Sequence, residues 1–420
     1  MWRRRDPGGN DLSSLSAGEP APKQSHGVER GRDCSVPYLI VALSGRGLAA
    51  SAQRSGVPVC VVDLFNDLDT RGYAQRCARA AVLGGGFSAF DPSALVRCVE
   101  ENFPPQACAG IVPGAGFEEQ PELLRCISAG RTLFGNRPEI VALVKQPSLF
   151  FPLLVRVGLA HPQVRLDIPE RPEGWLAKRI GASGGGHVQN AVTFPNSSTE
   201  LEQWYFQRFT TGRPCSSLFL ADGKRALLVG SSEQWGKAAH AGDFSYAGAI
   251  SVSLPATVQI ELTRKLTCLV EATGLTGLNG IDFLLRGEEF FILEVNPRPS
   301  ATLDLHDGNF EQGLFALHLQ ACQGNLSKAQ RPDADAGANI ARAHAVVYAP
   351  AWTRIAPRFS FPAWCSDVPA SGSLIAPGAP VCMVHANGSD RHATLRQLAQ
   401  RARLIDRELS RPEESRMVAR

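Results

Sequence analysis

Asp282, Glu294, Asn296 and Arg298 are the residues of this 420-residue chain whose types and spacing best suit chemistry on a phosphate. They share one run, Asn279-Gly-Ile-Asp-Phe-Leu-Leu-Arg-Gly-Glu-Glu-Phe-Phe-Ile-Leu-Glu-Val-Asn-Pro-Arg298. The apolar stretches Ile281 to Leu285 and Phe290 to Val295 are strand-like and flank a polar turn at Arg286-Gly-Glu-Glu289, a pattern that predicts an antiparallel hairpin. Asp282 then faces Glu294. Alternate residues of a strand share a face, so Glu294, Asn296 and Arg298 point the same way. Three oxygen ligands and one cation converge. Hard oxygen donors suit Mg²⁺ or Mn²⁺ bridging substrate phosphates, while a guanidinium neutralises charge on a transferring phosphoryl group. The plain alternative is a hairpin whose charges only face water. It fits poorly, because the carboxylates are interleaved with bulky residues that mark buried strands.

Other stretches supply what such a site needs around it. Lys145 ends Gly135-Asn-Arg-Pro-Glu-Ile-Val-Ala-Leu-Val-Lys145, and Lys178 lies in Trp175-Leu-Ala-Lys-Arg-Ile-Gly-Ala-Ser-Gly-Gly-Gly186. A lysine gives phosphates a point charge, and successive glycines let backbone N–H groups approach them closely. With these the chain resembles the ATP-grasp superfamily. Asp282, Glu294 and Asn296 followed by Pro-Arg look like its Mg²⁺-ATP motif, and Lys145 and Lys178 look like its two nucleotide lysines. Ser183, Gly184, Gly185 and Gly186 resemble its phosphate lid, and Gln207, Arg208 and Phe209 of Gln207-Arg-Phe-Thr-Thr-Gly212 resemble its adenine hinge. One departure is that Trp204 to Cys215 contains no carboxylate for the ribose, which leaves that role to Glu202 or a later residue.

The resemblance covers residues 36 to about 400. It implies an α/β fold, α+β in the nucleotide clamp, with a βαβ unit before the ATP-grasp domain and a small carboxy-terminal unit like that of biotin-carboxylase-like proteins. It also implies an ATP-dependent carboxylate-amine ligase using ATP and Mg²⁺. The substrate carboxylate would attack the γ-phosphoryl group, an amine would displace phosphate from the acyl phosphate, and Arg298 would steady the charged intermediate. Catalysis there is mostly positioning and electrostatics, with the lid excluding water. His187 and His306 are candidates for substrate contact or proton transfer. Lys237, Tyr246 and the Ala241 to Ala249 loop would border the acceptor pocket. The run Asn-Pro-Arg-Pro-Ser-Ala-Thr-Leu-Asp304 extends the resemblance to the tyramine-glutamate ligase group and one-carbon cofactor (methanofuran-type) biosynthesis. Small-molecule substrates are implied, and a homodimer is allowed.

A competing class starts from Pro37-Tyr-Leu-Ile-Val-Ala-Leu-Ser44, a buried strand entering Gly45-Arg-Gly-Leu-Ala-Ala50. A helix-like Leu48 to Arg54 and a strand Val57 to Val62 follow, ending at Asp63. That is the arrangement of a dinucleotide-binding unit and makes an NAD(P)-dependent oxidoreductase the alternative. The plain reading is a tight strand-to-helix turn. A nucleotide-binding scaffold without turnover is the third reading.

Length and composition place two to three domains in the chain. Residues 1–34, rich in Gly, Pro, Ser and charge, are expected to be disordered. Residues 35–134 alternate strands (37–43, 57–62, 109–113) with helix-like Ala74 to Ala81 and Pro92 to Asn102. Val112-Pro-Gly-Ala-Gly-Phe-Glu118 reads as a strand opening into a substrate-facing loop. Residues 135–330 form the clamp, with a lid at about 150–212. A polar stretch, Gln323 to Gly337, leads to a unit at 338–405 with strands Ala343 to Tyr348 and Val381 to His385 and a helix Asp390 to Ile405, followed by a tail, 406–420. A formal charge of +3 argues against nucleic acid as the main partner. Eleven scattered cysteines without a C-x-x-C pair favour reduced core thiols. Cys215 is weighed both as a reactive thiol and as a buried hydrophobe. No apolar h-region follows Arg3-Arg4-Arg5 and no run approaches membrane-spanning length, which makes the cytoplasm the expected compartment.

Overall fold

The computed structural model describes residues 36–82, 89–195, 201–238, 242–326 and 340–411. The expectations for the amino-terminal 34 residues, Ala241, most of Gln323 to Gly337 and the end of the tail lie outside these residues.

The first elements are β1 (Tyr38–Val41), α1 (Arg46–Arg54), β2 (Val59–Asp63), α2 (Leu68–Tyr73), β3 (Arg76–Arg79), α3 (Pro92–Asn102), β4 (Gly110–Pro113) and α4 (Pro121–Ser128). The strands pair in parallel in the order β3-β2-β1-β4. The near-continuous apolar residues of β1, β2 and β4 are buried on both faces, as parallel strands covered by helices require, while β3 at the edge is partly exposed. Asp91 starts α3 by accepting from the Ala94 N–H at 2.9 Å, with Pro92 beside it at the helix start. The helix-like Ala74 to Ala81 is corrected: Arg76–Arg79 is a strand paired with Cys60–Asp63. An alanine-rich stretch favours helix only weakly, and open hydrogen-bonding groups at the sheet edge override it.

Two helices, α5 (Pro138–Lys145) and α6 (Pro147–Arg156), lead into the lid. Its strands β5 (Val164–Arg165), β6 (Trp175–Arg179), β7 (Val188–Asn190) and β8 (Trp204–Arg208) pair in the order β5-β8-β6-β7 around a small core of Trp175, Ala177, Ala191, Phe194 and Phe206.

The clamp's body is an antiparallel sheet of β9 (Arg213–Asp222), β10 (Ala226–Ala238), β11 (Asp243–Val252), β12 (Thr276–Arg286) and β13 (Glu289–Asn296). Helix α7 (Ala256–Thr273) packs on it through Val258, Leu262, Leu266, Leu269 and Val270, an i, i+4 stripe, and stops at Gly274, whose φ of +75° is left-handed. Helices α8 (Leu303–His306) and α9 (Leu314–Cys322) follow the hairpin. The remaining elements are β14 (Ala341–Tyr348), β15 (Thr353–Arg354), β16 (Cys365–Ser366), β17 (Leu374–Ile375), β18 (Pro380–Gly388) and α10 (Arg391–Ser410). Here β14 pairs with β11, so the stretch expected as a third unit adds its strands to the central sheet, in the order β13-β12-β9-β10-β11-β14-β18-β16.

Among the described residues no single helix is long and apolar enough to cross a membrane.

Candidate active site

The hairpin forms as its pattern predicts: β12 and β13 pair antiparallel, with Asp282 opposite Glu294 and Gly280 opposite Asn296. A bulge between Asp282 and Phe283 shifts the register beside the two carboxylates. The Asn296 amide donates to Asp282 at 3.0 Å, and the Lys145 ammonium donates to Glu294 and to the Asn296 carbonyl, both at 3.0 Å. Lys145 sits at the end of α5, so its charge arrives from a helix packed against β13. Ser216 of β9, opposite Asp282, hydrogen-bonds that carboxylate. Burial, and next the charge of Glu294, push the Asp282 carboxyl up. Burial also works against the Glu294 charge, but Lys145, Lys178 and His187 outweigh it and hold that carboxyl below the usual range.

Lys178 on β6 donates to the Gln207 carbonyl at 2.7 Å across the lid sheet, and burial lowers its pKa. Nε2 of Gln207 and Nδ1 of His187 are buried without a hydrogen-bond partner. Burial pushes His187 down to about 4, which makes it a weak proton acceptor and a neutral hydrogen-bonding group near pH 7. The lid glycines run against the start of β11: the Tyr246 N–H donates to the Gly184 carbonyl at 2.9 Å. Gly185, at φ +79°, is required there, since a Cβ would lie 2.0 Å from the Phe244 carbonyl oxygen. A cavity of about 310 Å³ opens beside the lid, lined by Gly116, Glu118, Arg179, Ser183, Gly186 and His187 among others. A narrower cleft of about 20 Å³ is lined by Val144, Lys145, Phe151, Tyr205, Leu293 and Glu294 among others.

The predicted residues therefore divide. Asp282, Glu294, Asn296 and Lys145 are in direct contact, with Lys178, Gln207 and His187 next to them. Arg208 and Phe209 point elsewhere: Arg208 lies over the Trp175 ring at 5.6 Å and donates to the Glu173 carbonyl, and Phe209 is 52% exposed. Arg298 is turned to Glu118, its Nε donating at 2.5 Å. Glu118 also accepts from the N–H groups of Gly116 and Phe117, at 2.7 and 3.0 Å. Burial opposes its charge, but Arg298 and then Lys145 hold its pKa below the usual range. The sequence places Glu118 in a loop expected to face substrate, and its ion pair with Arg298 is what the pattern does not show.

A second unheralded residue is Asn136. It donates to the Asn279 carbonyl and the Pro297 carbonyl, at 2.7 and 2.9 Å, and accepts from the Thr276 N–H at 2.8 Å. In the sequence it stands only at the start of the stretch that ends at Lys145. His306 is buried over Gly230 and bonds the Ser232 hydroxyl at 2.9 Å, which is a packing role. Cys215 is fully buried, and burial pushes its thiol up to about 11, the behaviour of a small hydrophobe.

The Gly45-x-Gly47 loop does not present a ribose site. Asp63 is 1% exposed and its oxygens accept the N–H groups of Gly45, Phe65 and Asn66, at 3.0, 3.2 and 2.7 Å. Gly45 is needed for packing, since a Cβ would meet Val61 at 2.5 Å. Arg46 turns inward to Asp304 and Asp367. The dinucleotide reading loses its acid, which is consumed by the turn.

Fold and site together define an α/β protein with a four-stranded lid sheet and a hairpin that carries two facing carboxylates. Residues 151–302 match the ATP-grasp domain family. The chain contains an ATP-grasp domain, and its fold is that of ATP-grasp proteins. The carbamoyl phosphate synthase large chain of Rubrobacter xylanophilus is 24% identical over 228 residues, 46% of this chain and 20% of that protein. The Haemophilus ducreyi large chain is 23% identical over 239 residues, 51% of this chain and 22% of that one. The matched region thus spans about a fifth of these relatives. Among solved structures, biotin carboxylase from Campylobacter jejuni superposes with a TM-score of 0.65 at 14% identity, covering 89% of this chain and 95% of that one. L-amino acid ligase from Bacillus licheniformis gives 0.59 at 12%, covering 87% and 96%. The biotin carboxylase domain of 2-oxoglutarate carboxylase from Hydrogenobacter thermophilus, solved with MgADP and bicarbonate, gives 0.66 at 12%, covering 86% and 88%.

Proposed function

We propose that this protein is an ATP-dependent ligase that joins a small-molecule carboxylate to an amine through an acyl phosphate, releasing ADP and phosphate. The observation that carries this reading is the contact of Asp282, Glu294 and Asn296 with one another and with Lys145. The donor set fits a divalent cation: two carboxylates and an amide oxygen are hard donors, and the hairpin sets Asp282 opposite Glu294 with the Asn296 amide against Asp282. Asp282, Glu294 and Asn296 would hold Mg²⁺, which would supply charge neutralisation to the terminal phosphates. Gln207 and His187, each with a buried polar atom lacking a partner, fit a ligand lying against Lys178.

Each residue then has a task. Lys145 and Lys178 hold the phosphates. The narrow cleft beside Phe151 and Tyr205 takes the base when the lid opens. Gly184 to Gly186 cover the phosphates and keep water from the acyl phosphate. Arg298, released from Glu118 by an incoming anion, grips two oxygens of the developing acyl phosphate with its planar fork. The carboxylate oxygen attacks the γ-phosphorus as ADP leaves, and the amine nitrogen attacks the acyl carbon as phosphate leaves and a proton is lost. The large cavity beside Glu118, Arg179 and Ser183 is where we place the acceptor. From the Asn296 to Asp304 run and the order of the units we extend the reading to one-carbon cofactor assembly, and from the scattered cysteines we place the protein in the cytoplasm.

The test is a thermal-shift comparison, because a ligand that binds only the folded state raises its melting temperature. Mg-ATP should stabilise the chain and NAD or NADP should not; the reverse result overturns the reading. A screen of carboxylates with amines for ADP and phosphate release then names the substrates.

A further inference from the structure

Asp304, His344 and His385 bring one carboxylate oxygen and two imidazole nitrogens within 4.8 Å of one another, from α8, β14 and β18. This cluster takes no part in the function proposed above. His344 is fully buried; its Nε2 bonds the Tyr246 hydroxyl at 2.5 Å, and its Nδ1 has no partner. A buried ring nitrogen without a partner is costly unless something completes it. His385 is oriented for the same purpose. Its Nε2 lies 2.7 Å from the Ser366 hydroxyl, and that hydroxyl donates to Asp367 at 3.0 Å. With its own proton committed to Asp367, Ser366 accepts from Nε2–H of His385, which leaves the lone pair of His385 on Nδ1. Both histidines thus have one nitrogen bonded to an oxygen partner and the other open, the arrangement of metal-ligating imidazoles with outer hydrogen bonds.

The local charge points the same way. Arg46 is enclosed by Asp304, Asp367 and Asp69, with Asp367 at 3.2 Å and Asp69 at 3.9 Å. Three carboxylates around a single guanidinium leave a negative charge of two, which one divalent ion balances. Asp304 can serve both, because a carboxylate has about four lone-pair sites and Arg46 needs two.

We propose that Asp304, His344 and His385 bind a divalent transition-metal ion, Zn²⁺ being the natural occupant. Two imidazoles and a carboxylate suit zinc, and Mg²⁺ prefers an all-oxygen shell. Three protein ligands leave a fourth tetrahedral position to water or to a donor atom of substrate. The ion would tie the carboxy-terminal strands to the helix that follows Asn-Pro-Arg298. It is independent of the Mg²⁺ site, and its test is arranged to keep the two apart.

The full-length chain, stripped with a chelator, is titrated with Co²⁺ as a spectroscopic stand-in and with Zn²⁺ in competition. The expected result is one equivalent of Co²⁺ with visible ligand-field bands, displaced by Zn²⁺. The bands should be retained in Glu294→Gln and lost in His385→Ala and His344→Ala. X-ray absorption on the zinc-loaded wild-type chain should show two imidazole ligands, which decides the question even where a histidine variant does not fold. No bound equivalent, a shell without imidazole, or loss of binding in Glu294→Gln with binding kept in His385→Ala overturns the proposal.

Discussion

Glu118→Gln isolates the ion pair that joins the first unit to the Asn-Pro-Arg strand. Glutamine keeps the shape and an oxygen for the Gly116 and Phe117 N–H groups, and sets an NH2 where Oε1 accepts from Arg298, so the change removes the pair's charge together with its hydrogen bond. The pair is well shielded, with side-chain exposures of 4% for Glu118 and 13% for Arg298. Breaking such a pair leaves an uncompensated buried charge, which costs about 3 kcal/mol. For a folded unit of this size that corresponds to a melting point lower by about 4 °C. The pH dependence supplies the decisive signature. The folded-state pKa of Glu118 lies below its ordinary value, so its contribution is complete above the unfolded pKa of about 4.3 and is lost as pH falls through the lower folded value. Thermal melts of both proteins from about pH 8 down to about pH 3 should therefore show a gap that is constant at neutral pH and closes in acid. A variant that melts with the wild type at neutral pH, or a gap that persists unchanged in acid, refutes the assignment.

Glu294→Gln should fold normally, since Lys145 keeps its acceptor, yet lose at least about a hundredfold in turnover in a phosphate-release assay; near-normal activity counts against the metal assignment. Arg298→Lys should lower kcat and kcat/KM together while ATP affinity, measured by titration calorimetry, stays unchanged; lost affinity at unchanged kcat would make Arg298 a nucleotide ligand. The lid supplies an internal control, because Gly184 and Gly185 share φ near +78° but only Gly185 is crowded. Gly184→Ala should cost about 1 kcal/mol of lid stability, whereas Gly185→Ala should prevent closure and raise the KM for ATP at least about tenfold; equal effects would show that the contact with Phe244 is not part of closure.

The hairpin was legible because strand alternation alone sets which side chains meet: Asp282 opposite Glu294 follows from the period and the turn. Capped helix α3 was legible for a similar local reason. The Ala74 to Ala81 stretch was not, because its strand identity comes from β2 alongside it, a partner sixteen residues away in the chain. Partner choice also hid Glu118 and Asn136, whose functions lie in residues 180 and 161 positions downstream, Arg298 and Pro297. The Gly45-x-Gly47 motif misdirects for the converse reason. Local pattern describes the turn correctly, and only tertiary packing reveals that Asp63 is spent on the backbone.

The pairing of β14 with β11 bears on how the chain is made. Strand β11 is ten residues long and is synthesised well before Ala341–Tyr348 leaves the ribosome. Until then it is an uncovered sheet edge, the template onto which other chains add. Removing the carboxy-terminal stretch as though it were an appended domain would leave that edge bare for good. Truncations ending before residue 341 should be recovered as aggregates, whereas cuts within α10 leave the seam between β11 and β14 closed.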